Sequence, residues 1–292
     1  MTNHDTNPKK QSEWDRQSSL AKKIIEIGAT EFFLGHPNIK KPFGIKKNRF
    51  VCMDEGTAHQ RCESGNFGLA GSGILYPGCW KERVERIAKI MLGAGVNEVT
   101  SHTGCGAAGI AFNQAPKSFL QKNCIETADD LAYFWSAELA KVMHKKNPGL
   151  VHHRHIGAEI MARPTEFHNA VCAWYNLTED FDPSRLGKNS PNGFLHEPGL
   201  LNKHDSKIEQ QKYTLRELAL AIKIAFGHHG FGLELFNEKL PFLVIVVACD
   251  NDQLASEKSK IEKFLTQNEG LKELASDPLK IIHIDGFVRP RV

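Results

Sequence analysis

The sequence lacks any long apolar run. No stretch of its 292 residues approaches the ~20 consecutive apolar residues that a membrane-spanning helix needs. The first residues, MTNHDTNPKKQSEWDRQSS, are polar and lack the apolar core of a signal peptide. We therefore expect a cytoplasmic protein with no membrane partner.

The sequence also lacks an excess of charge of one sign. Its 37 Lys and Arg residues are balanced by 34 Asp and Glu residues, which leaves a formal net charge of only +3. Because so small a net charge creates no strong field toward a polyanion, we do not expect nucleic acid as a partner. Internal repeats and low-complexity tracts are absent too, which argues against a solenoid.

The cysteines do not form an even set that would indicate a disulfide framework. There are seven, in a chain too long to depend on disulfides for its stability. We therefore expect free or metal-bound thiols. They stand at positions 52, 62, 79, 105, 124, 172 and 249.

Short apolar runs alternate with helical patterns along most of the chain. The runs RFVCMD, NEVTSH, HNAVCAWY, FLVIVVACD and KIIHIDGF have the length and composition of buried strands, and the segment 81–95, KERVERIAKIMLGAG, is typical of a helix with a charged face. This alternation predicts an α/β fold, with a mainly parallel β-sheet flanked by helices.

Composition divides the chain into four predicted parts. Residues 1–18 are expected to be a mobile N-terminal arm, and residues 19–177 the core of the fold. Residues 178–212 are rich in Asp, Asn, Pro, Gly and Lys, which is typical of a long loop or linker. Residues 213–292 form a C-terminal α/β extension, with a helix predicted to begin at Thr214.

Two thiols and an imidazole follow predicted strands. Cys52 ends the first strand, and His102 and Cys105 occupy the turn between a later strand and a helix predicted to start near Gly106. The carboxyl ends of neighbouring parallel strands meet at one edge of a sheet, so residues about fifty apart in sequence can come together there. Thiolates and imidazole are ligands that zinc prefers. The sequence therefore predicts a zinc site.

The same residues carry a resemblance to a known family. The C-x-D of Cys52 and Asp54, followed by H-T-G-C-G at 102–106, resembles the Cys-x-Asp-x-Arg and His-x-x-Cys-Gly motifs of the β-class carbonic anhydrases. The similarity covers roughly residues 45–175. It implies an α/β fold, zinc ligands at Cys52, His102 and Cys105, a homodimer or larger homo-oligomer, and hydration of CO2 to bicarbonate by a zinc-bound hydroxide.

One departure from the family motif leaves alternatives open. The family's arginine, which holds the aspartate away from the metal, is replaced by Gly56. Asp54 then either orients the metal-bound water, with an arginine such as Arg61 as its partner, or closes the site as a fourth zinc ligand. An open site suits CO2 or a similar linear substrate, carbonyl sulfide or carbon disulfide. A site closed by two cysteines, one histidine and one aspartate would be structural and non-catalytic.

Further histidines and cysteines are weaker candidates. His59 is a candidate proton shuttle because it is close in sequence to Asp54. The HHRH segment at 152–155 could hold a second metal, although only His153 and His155 share a face of an extended segment. The GHHG segment at 227–230 is better explained as a helix cap. Cys62 and Cys79 are alternative ligands near the first motif.

Overall fold

The chain folds into parallel β-sheets covered by helices. The computed structural model describes residues 8–39, 47–59, 65–148, 151–204, 208–267, 271 and 278–289. Within these residues, the strands are β1 (Lys47–Cys52), β2 (Gly65–Leu69), β3 (Glu98–His102), β4 (His152–Ile156), β5 (Cys172–Asn176), β6 (Gly193–His196), β7 (Phe242–Ala248) and β8 (Ile282–Val288).

Ten α-helices lie among the described residues, and no helix there is long and apolar enough to cross a lipid bilayer. They are α1 (Pro8–Ile27), α2 (Ala29–Leu34), α3 (Glu55–Ala58), α4 (Trp80–Ala94), α5 (Gly106–Gln114), α6 (Lys117–Lys122), α7 (Ala128–Lys146), α8 (Pro198–His204), α9 (Ile208–Phe226) and α10 (Asn251–Gln267). Short 3-10 helices cover Ala70–Gly73, Ala158–Ile160, Pro183–Asn189 and Pro278–Ile281.

The strands form two four-stranded sheets, and every pairing within them is parallel. The first sheet has the order β2-β1-β3-β4 and the second has the order β6-β5-β7-β8. β7 is buried along its whole length, because helices cover both faces of a parallel sheet and leave no polar face. The predicted α/β class with parallel sheets flanked by helices is confirmed.

The two sheets approach each other at β2 and β6. The amide of Leu195 in β6 donates a hydrogen bond to the carbonyl oxygen of Met53, just after β1, over 2.8 Å. A side chain on Gly68 would prevent this approach, because a β-carbon there would lie 2.8 Å from the carbonyl oxygen of Leu195. The C-terminal strands therefore build a second sheet beside the first.

Helix boundaries in the first half follow the capping residues that the sequence offers. Thr127 caps α7 by accepting a hydrogen bond from the amide of Asp130, whose carboxylate accepts one from the amide of Thr127 in return. Gly95 ends α4 in the left-handed conformation, with φ of 82°, which glycine adopts without steric cost. α9 differs from prediction, because it begins at Ile208 and has Thr214 in its interior.

The prediction of a mobile arm is wrong for residues 8–18. They form the first part of α1, and residues 1–7 lie outside the described part of the chain. Trp14 is buried edge-on against Phe231 and Phe236, each at 5.1 Å between ring centroids. The side chain of Gln17 accepts a hydrogen bond from the amide of Asn192. One aromatic anchor and one buried amide thus fix a helix whose other residues are mostly polar.

The predicted linker at 178–212 is also corrected. This segment contributes β6 to the middle of the fold, together with α8 and the start of α9. Several of its polar residues are buried, and one of them is a partner of the backbone: Asp182 accepts hydrogen bonds from the amides of Asn66 and Ser184. The predicted boundary at 177 separates β5 from β6, β7 and β8, although all four strands share a sheet. Polar composition therefore concealed a buried segment.

Candidate metal centre

The fold brings Cys52, His102 and Cys105 together. Cys52 is the last residue of β1, His102 is the last residue of the adjacent parallel strand β3, and Cys105 is the N-cap of α5. One ligand atom from each lies within 4.8 Å of the other two, and all three side chains are buried. The predicted meeting of these residues at one sheet edge is confirmed, and the group could hold a metal ion.

The imidazole of His102 is oriented for metal binding. Its Nδ1 donates a hydrogen bond to the carbonyl oxygen of Thr103 over 3.0 Å, which leaves Nε2 as the unprotonated nitrogen of the neutral ring. Nε2 is buried and has no hydrogen-bond partner among the described residues. A buried polar atom without a partner is costly, and a metal ion would give Nε2 a partner. Metal-bound histidines commonly donate a hydrogen bond through the nitrogen that does not bind the metal, as Nδ1 does here.

The spacing of the two thiols also fits one metal ion. The Sγ atoms of Cys52 and Cys105 are 4.0 Å apart. Two thiolates on one tetrahedral zinc, each at about 2.3 Å from it, would be about 3.8 Å apart. Two sulfur atoms and one imidazole nitrogen are donors of the kinds that zinc prefers.

A tight turn after β2 packs over Cys52. The amide of Gly71 donates a hydrogen bond to Sγ of Cys52 over 3.1 Å, and Gly71 has φ of 54°. A β-carbon on Gly71 would lie 2.6 Å from Cγ2 of Ile74 and 3.0 Å from Cβ of Ala107. Glycine is required here both by the left-handed backbone and by the lack of space, and its amide stabilises negative charge on the sulfur.

The charges of the buried cluster favour a cation. Burial raises the pKa of the Cys52 thiol, an effect that the neighbouring Cys105 increases. Burial lowers the pKa of His102, but its interactions with Cys52 and Asp54 outweigh this and raise it to about 9. A divalent cation reverses both tendencies, because it stabilises thiolate and displaces the imidazole proton.

Asp54 is paired with an arginine that the sequence pattern did not indicate. Nε of Arg163 donates to Oδ1 of Asp54 over 2.9 Å, and Nη2 of Arg163 donates to Oδ2 over 3.0 Å. Both side chains are buried, with about 5% of each exposed. This two-point contact is the strongest form of an arginine–carboxylate pair. Burial raises the pKa of Asp54, but His168, His102 and Arg163 outweigh it and hold the pKa well below its usual range.

The pair bears directly on the predicted roles of Asp54. The carboxylate also accepts a hydrogen bond from the amide of Gly56 over 2.8 Å, so it is held by three donors. Asp54 does not belong to the group of Cys52, His102 and Cys105. This result differs from the expectation that an unpaired Asp54 could close the site as a fourth ligand. Arg61, the arginine considered from sequence, lies outside the described residues.

Glu55 and His168 extend this network beyond Asp54, and the three side chains form another group that could hold a metal ion. Nδ1 of His168 donates to Oε2 of Glu55 over 2.9 Å and lies 3.8 Å from Oδ2 of Asp54. The amide of Asn169 donates to the other oxygen of Glu55. Burial lowers the pKa of His168, but Glu55 and Asp54 outweigh it and raise the pKa. Neither residue was singled out from sequence, since an acid after Asp54 and a histidine before Asn169 form no motif.

His59, the predicted proton shuttle, lies elsewhere. Its Nε2 is 3.1 Å from the carbonyl oxygen and 3.2 Å from the amide nitrogen of Gly193, at the start of β6. Burial lowers the pKa of His59. The structure therefore places it against the second sheet, outside the three-residue cluster, and gives no support to a shuttle role.

The other candidates from sequence do not join the cluster. His153 and His155 share one face of β4, as expected, and both contact Oγ of Ser101, at 3.2 and 3.0 Å. No group of three metal-binding side chains among the described residues includes them. The GHHG segment directly follows α9, where the amide of Gly227 bonds to the carbonyl oxygen of Lys223. Cys79 is exposed at the start of α4, and Cys62 lies outside the described residues.

Comparison with known proteins gives no relative from which a function could be transferred. No protein-family model, no curated protein and no solved structure matches the chain. The likeness to β-class carbonic anhydrases stays a prediction from the two short motifs, and the function has to be argued from the geometry of the site.

Proposed function

We propose that this protein is a zinc-dependent enzyme that hydrates CO2 to bicarbonate. The observation that carries the proposal is the Asp54–Arg163 pair, which lies two residues from Cys52 in a buried site with three metal-binding side chains. A structural zinc site has four protein ligands and does not need a carboxylate held beside the metal. A catalytic site combines three protein ligands with a group that is oriented to accept a hydrogen bond from the metal-bound water.

The metal would be held by Sγ of Cys52, Nε2 of His102 and Sγ of Cys105. When bound, zinc supplies a Lewis acid that lowers the pKa of water from 15.7 to roughly 7, so that water can be deprotonated at neutral pH. The reaction takes up one water and one CO2 and yields bicarbonate and one proton. The rest of the chemistry depends on what the protein's own groups do.

Asp54 serves as the oriented hydrogen-bond acceptor. Arg163 keeps its carboxylate ionised and fixes the plane of the carboxylate through two hydrogen bonds. Each carboxylate oxygen has two lone pairs, so Asp54 can accept one further hydrogen bond from the reacting water while it remains bound to Arg163. Arg163 thus acts as a positioning residue through Asp54.

CO2 hydration measured by stopped flow with a pH indicator tests the proposal. The zinc-loaded protein should accelerate hydration, and Cys105→Ser should lose both zinc and activity. Arg163→Gln should keep its zinc but lose roughly 10–100-fold in kcat/KM, the usual cost of removing a group that orients a metal site. The exposed Arg154 offers a matched control, and Arg154→Gln should keep full activity.

Two results would contradict the proposal in different ways. If protein with one zinc per chain accelerates carbonyl sulfide or carbon disulfide hydrolysis but not CO2 hydration, the site is catalytic and the substrate is wrong. If none of the three substrates reacts, the zinc is structural. The homo-oligomer that the family resemblance implies is a separate proposal, which light scattering on the purified protein would check.

A further inference from the structure

A cavity lies between four helices of the first half of the chain, apart from the metal centre. It has a volume of about 380 Å³, within the range of small-molecule sites. Its walls come from the start of α4, the C-terminal half of α5, the start of α7, helix α6, and the loops between them. Seven apolar residues form most of these walls: Leu75, Trp80, Ala111, Ala115, Pro116, Phe119 and Leu131.

Aromatic rings make the interior of this cavity rigid and apolar. The rings of Trp80 and Phe119 are 4.8 Å apart between centroids, and Trp80 also packs edge-on against the buried Trp135. Fixed aromatic walls bury hydrocarbon without a large loss of side-chain entropy. The interior therefore favours an apolar group of a ligand.

Arg83 is the one Lys or Arg side chain among the described residues that line this cavity. Arg83 donates hydrogen bonds through Nη1 to the carbonyl oxygen of Ile74 and through Nη2 to that of Gly78, the latter over 2.9 Å. Its Nε is buried and has no hydrogen-bond partner in the described part of the chain. Both bonded groups are neutral, so neither removes the guanidinium charge.

The nearby acid does not neutralise Arg83. The carboxylate of Glu82, the next residue back along α4, accepts a hydrogen bond from the amide of Cys79 and caps the helix. Burial lowers the pKa of Arg83, and the smaller opposing effects come from Tyr213 and Cys79 and not from a carboxylate. An uncompensated guanidinium beside an apolar cavity attracts an anion.

We infer that this cavity binds a small organic monoanion with an apolar body, such as a medium-chain aliphatic or an aromatic carboxylate. The carboxylate lies beside the guanidinium of Arg83, and the hydrocarbon packs against Trp80 and Phe119. Charge complementarity excludes a cationic ligand, and the apolar walls disfavour a small, fully hydrated anion such as bicarbonate. The site uses none of the residues of the metal centre, so it is independent of the proposed function.

Two exposed cysteines allow a direct test. Cys79 lines the cavity, whereas Cys124 is exposed and is not among the lining residues. Alkylation of each thiol by iodoacetamide, followed by peptide mass spectrometry, reports occupancy of the cavity with an internal control. The probes are octanoate and 1-octanol, which have the same chain length and differ in charge.

Octanoate should slow the alkylation of Cys79 about tenfold when present at ten times its Kd, because only the free protein reacts. The rate at Cys124 should not change, and octanol at the same concentration should protect Cys79 much less. Arg83→Gln should abolish the protection by octanoate. Ala111→Phe, which fills the cavity and leaves the hydrogen bonds of Arg83 in place, should abolish it too.

Three outcomes would overturn the inference. The first is an unchanged rate at Cys79 over a millimolar range of octanoate, and the second is equal protection by octanol, which would remove the role of charge. The third is full protection in Ala111→Phe, which would place the ligand outside this cavity. Arg83→Gln also removes the hydrogen bonds to Ile74 and Gly78, which could disturb the loop. Ala111→Phe keeps those hydrogen bonds, so loss of protection in both variants cannot be explained by a disturbed loop alone.

Discussion

Arg163 passes so close to Gly56 that no side chain fits between them. A β-carbon on Gly56 would lie 2.7 Å from Cγ of Arg163 and 2.7 Å from Cε of Met161. Arg163 therefore reaches Asp54 because residue 56 is glycine. The family motif has its arginine at position 56. This chain has glycine there, and the glycine leaves space for Arg163, which is 109 residues after Asp54 in the sequence.

Gly56→Ala should displace Arg163 from Asp54. The added methyl group meets two side chains at a distance that real β-carbons essentially never show, so we expect a loss of about 1–3 kcal/mol in stability, typical of overpacking. CO2 hydration should fall as in Arg163→Gln. Gly109→Ala is the matched control, since a β-carbon there has no neighbour within 4 Å and alanine favours a helix. Equal stability and activity of the two variants would contradict the prediction.

Metal content should depend on Cys105 and not on Cys79. Cys105→Ser replaces a buried thiol of the cluster, while Cys79→Ser replaces an exposed thiol and leaves the total number of cysteines equal in the two variants. Zinc per chain, measured by mass spectrometry of the dialysed protein, should stay near one for Cys79→Ser and fall close to zero for Cys105→Ser. Retention of zinc by Cys105→Ser would show that the ion binds elsewhere.

Glu217 should make the fold less stable as the pH rises. Glu217 is buried on α9, and one of its carboxyl oxygens accepts a hydrogen bond from the amide of Ala70. Burial raises the pKa of Glu217 from 4.5 to about 8. Between these values the folded state holds a proton that the unfolded state has lost, so a higher pH favours unfolding.

Glu217→Gln cannot ionise, and its stability relative to the wild type should therefore increase by roughly 2–4 kcal/mol between pH 5 and pH 8. Urea unfolding at several pH values measures this difference. Glu85 is exposed on α4, and Glu85→Gln is the control that should show no such trend. A pH-independent difference for Glu217→Gln would mean that Glu217 is ionised in the folded protein.

The ion pair of Lys47 and Glu197 should matter for stability far more than a surface pair. Both side chains are almost completely buried, and Nδ2 of Asn176 donates to the second oxygen of Glu197. Lys47→Met leaves the Glu197 carboxyl group without its partner, and we expect it to cost about 3–5 kcal/mol.

The exposed pair of Lys203 and Glu179 provides the control, because 53% and 52% of the two side chains are exposed. Lys203→Met should cost less than about 1 kcal/mol. Chemical denaturation of both variants gives the comparison. The double variant Lys47→Met with Glu197→Gln should recover part of the free energy of unfolding that Lys47→Met loses. If it recovers none, the loss comes from packing around position 47 and not from charge.

The regular parts of the fold could be predicted where local signals agreed. The capping residues around α7, the glycine after α4 and the apolar run of β7 each fix an element through residues close in sequence. Predictions failed where a segment of polar composition is buried by distant partners. Gln17 bonds to Asn192, and Asp182 bonds to Asn66, so neither the order of 8–18 nor that of 178–212 was visible locally.

The sequence by itself determined the three candidate ligands, because Cys52 and His102 end strands, Cys105 lies in the turn after the second of them, and neighbouring parallel strands end at the same edge. Only the tertiary structure decided the state of Asp54. Its partner, Arg163, comes from an irregular segment just before Pro164 and has no periodicity or spacing relative to the motif. A side-chain pair between distant segments depends on how those segments pack, and local sequence patterns carry no record of that packing.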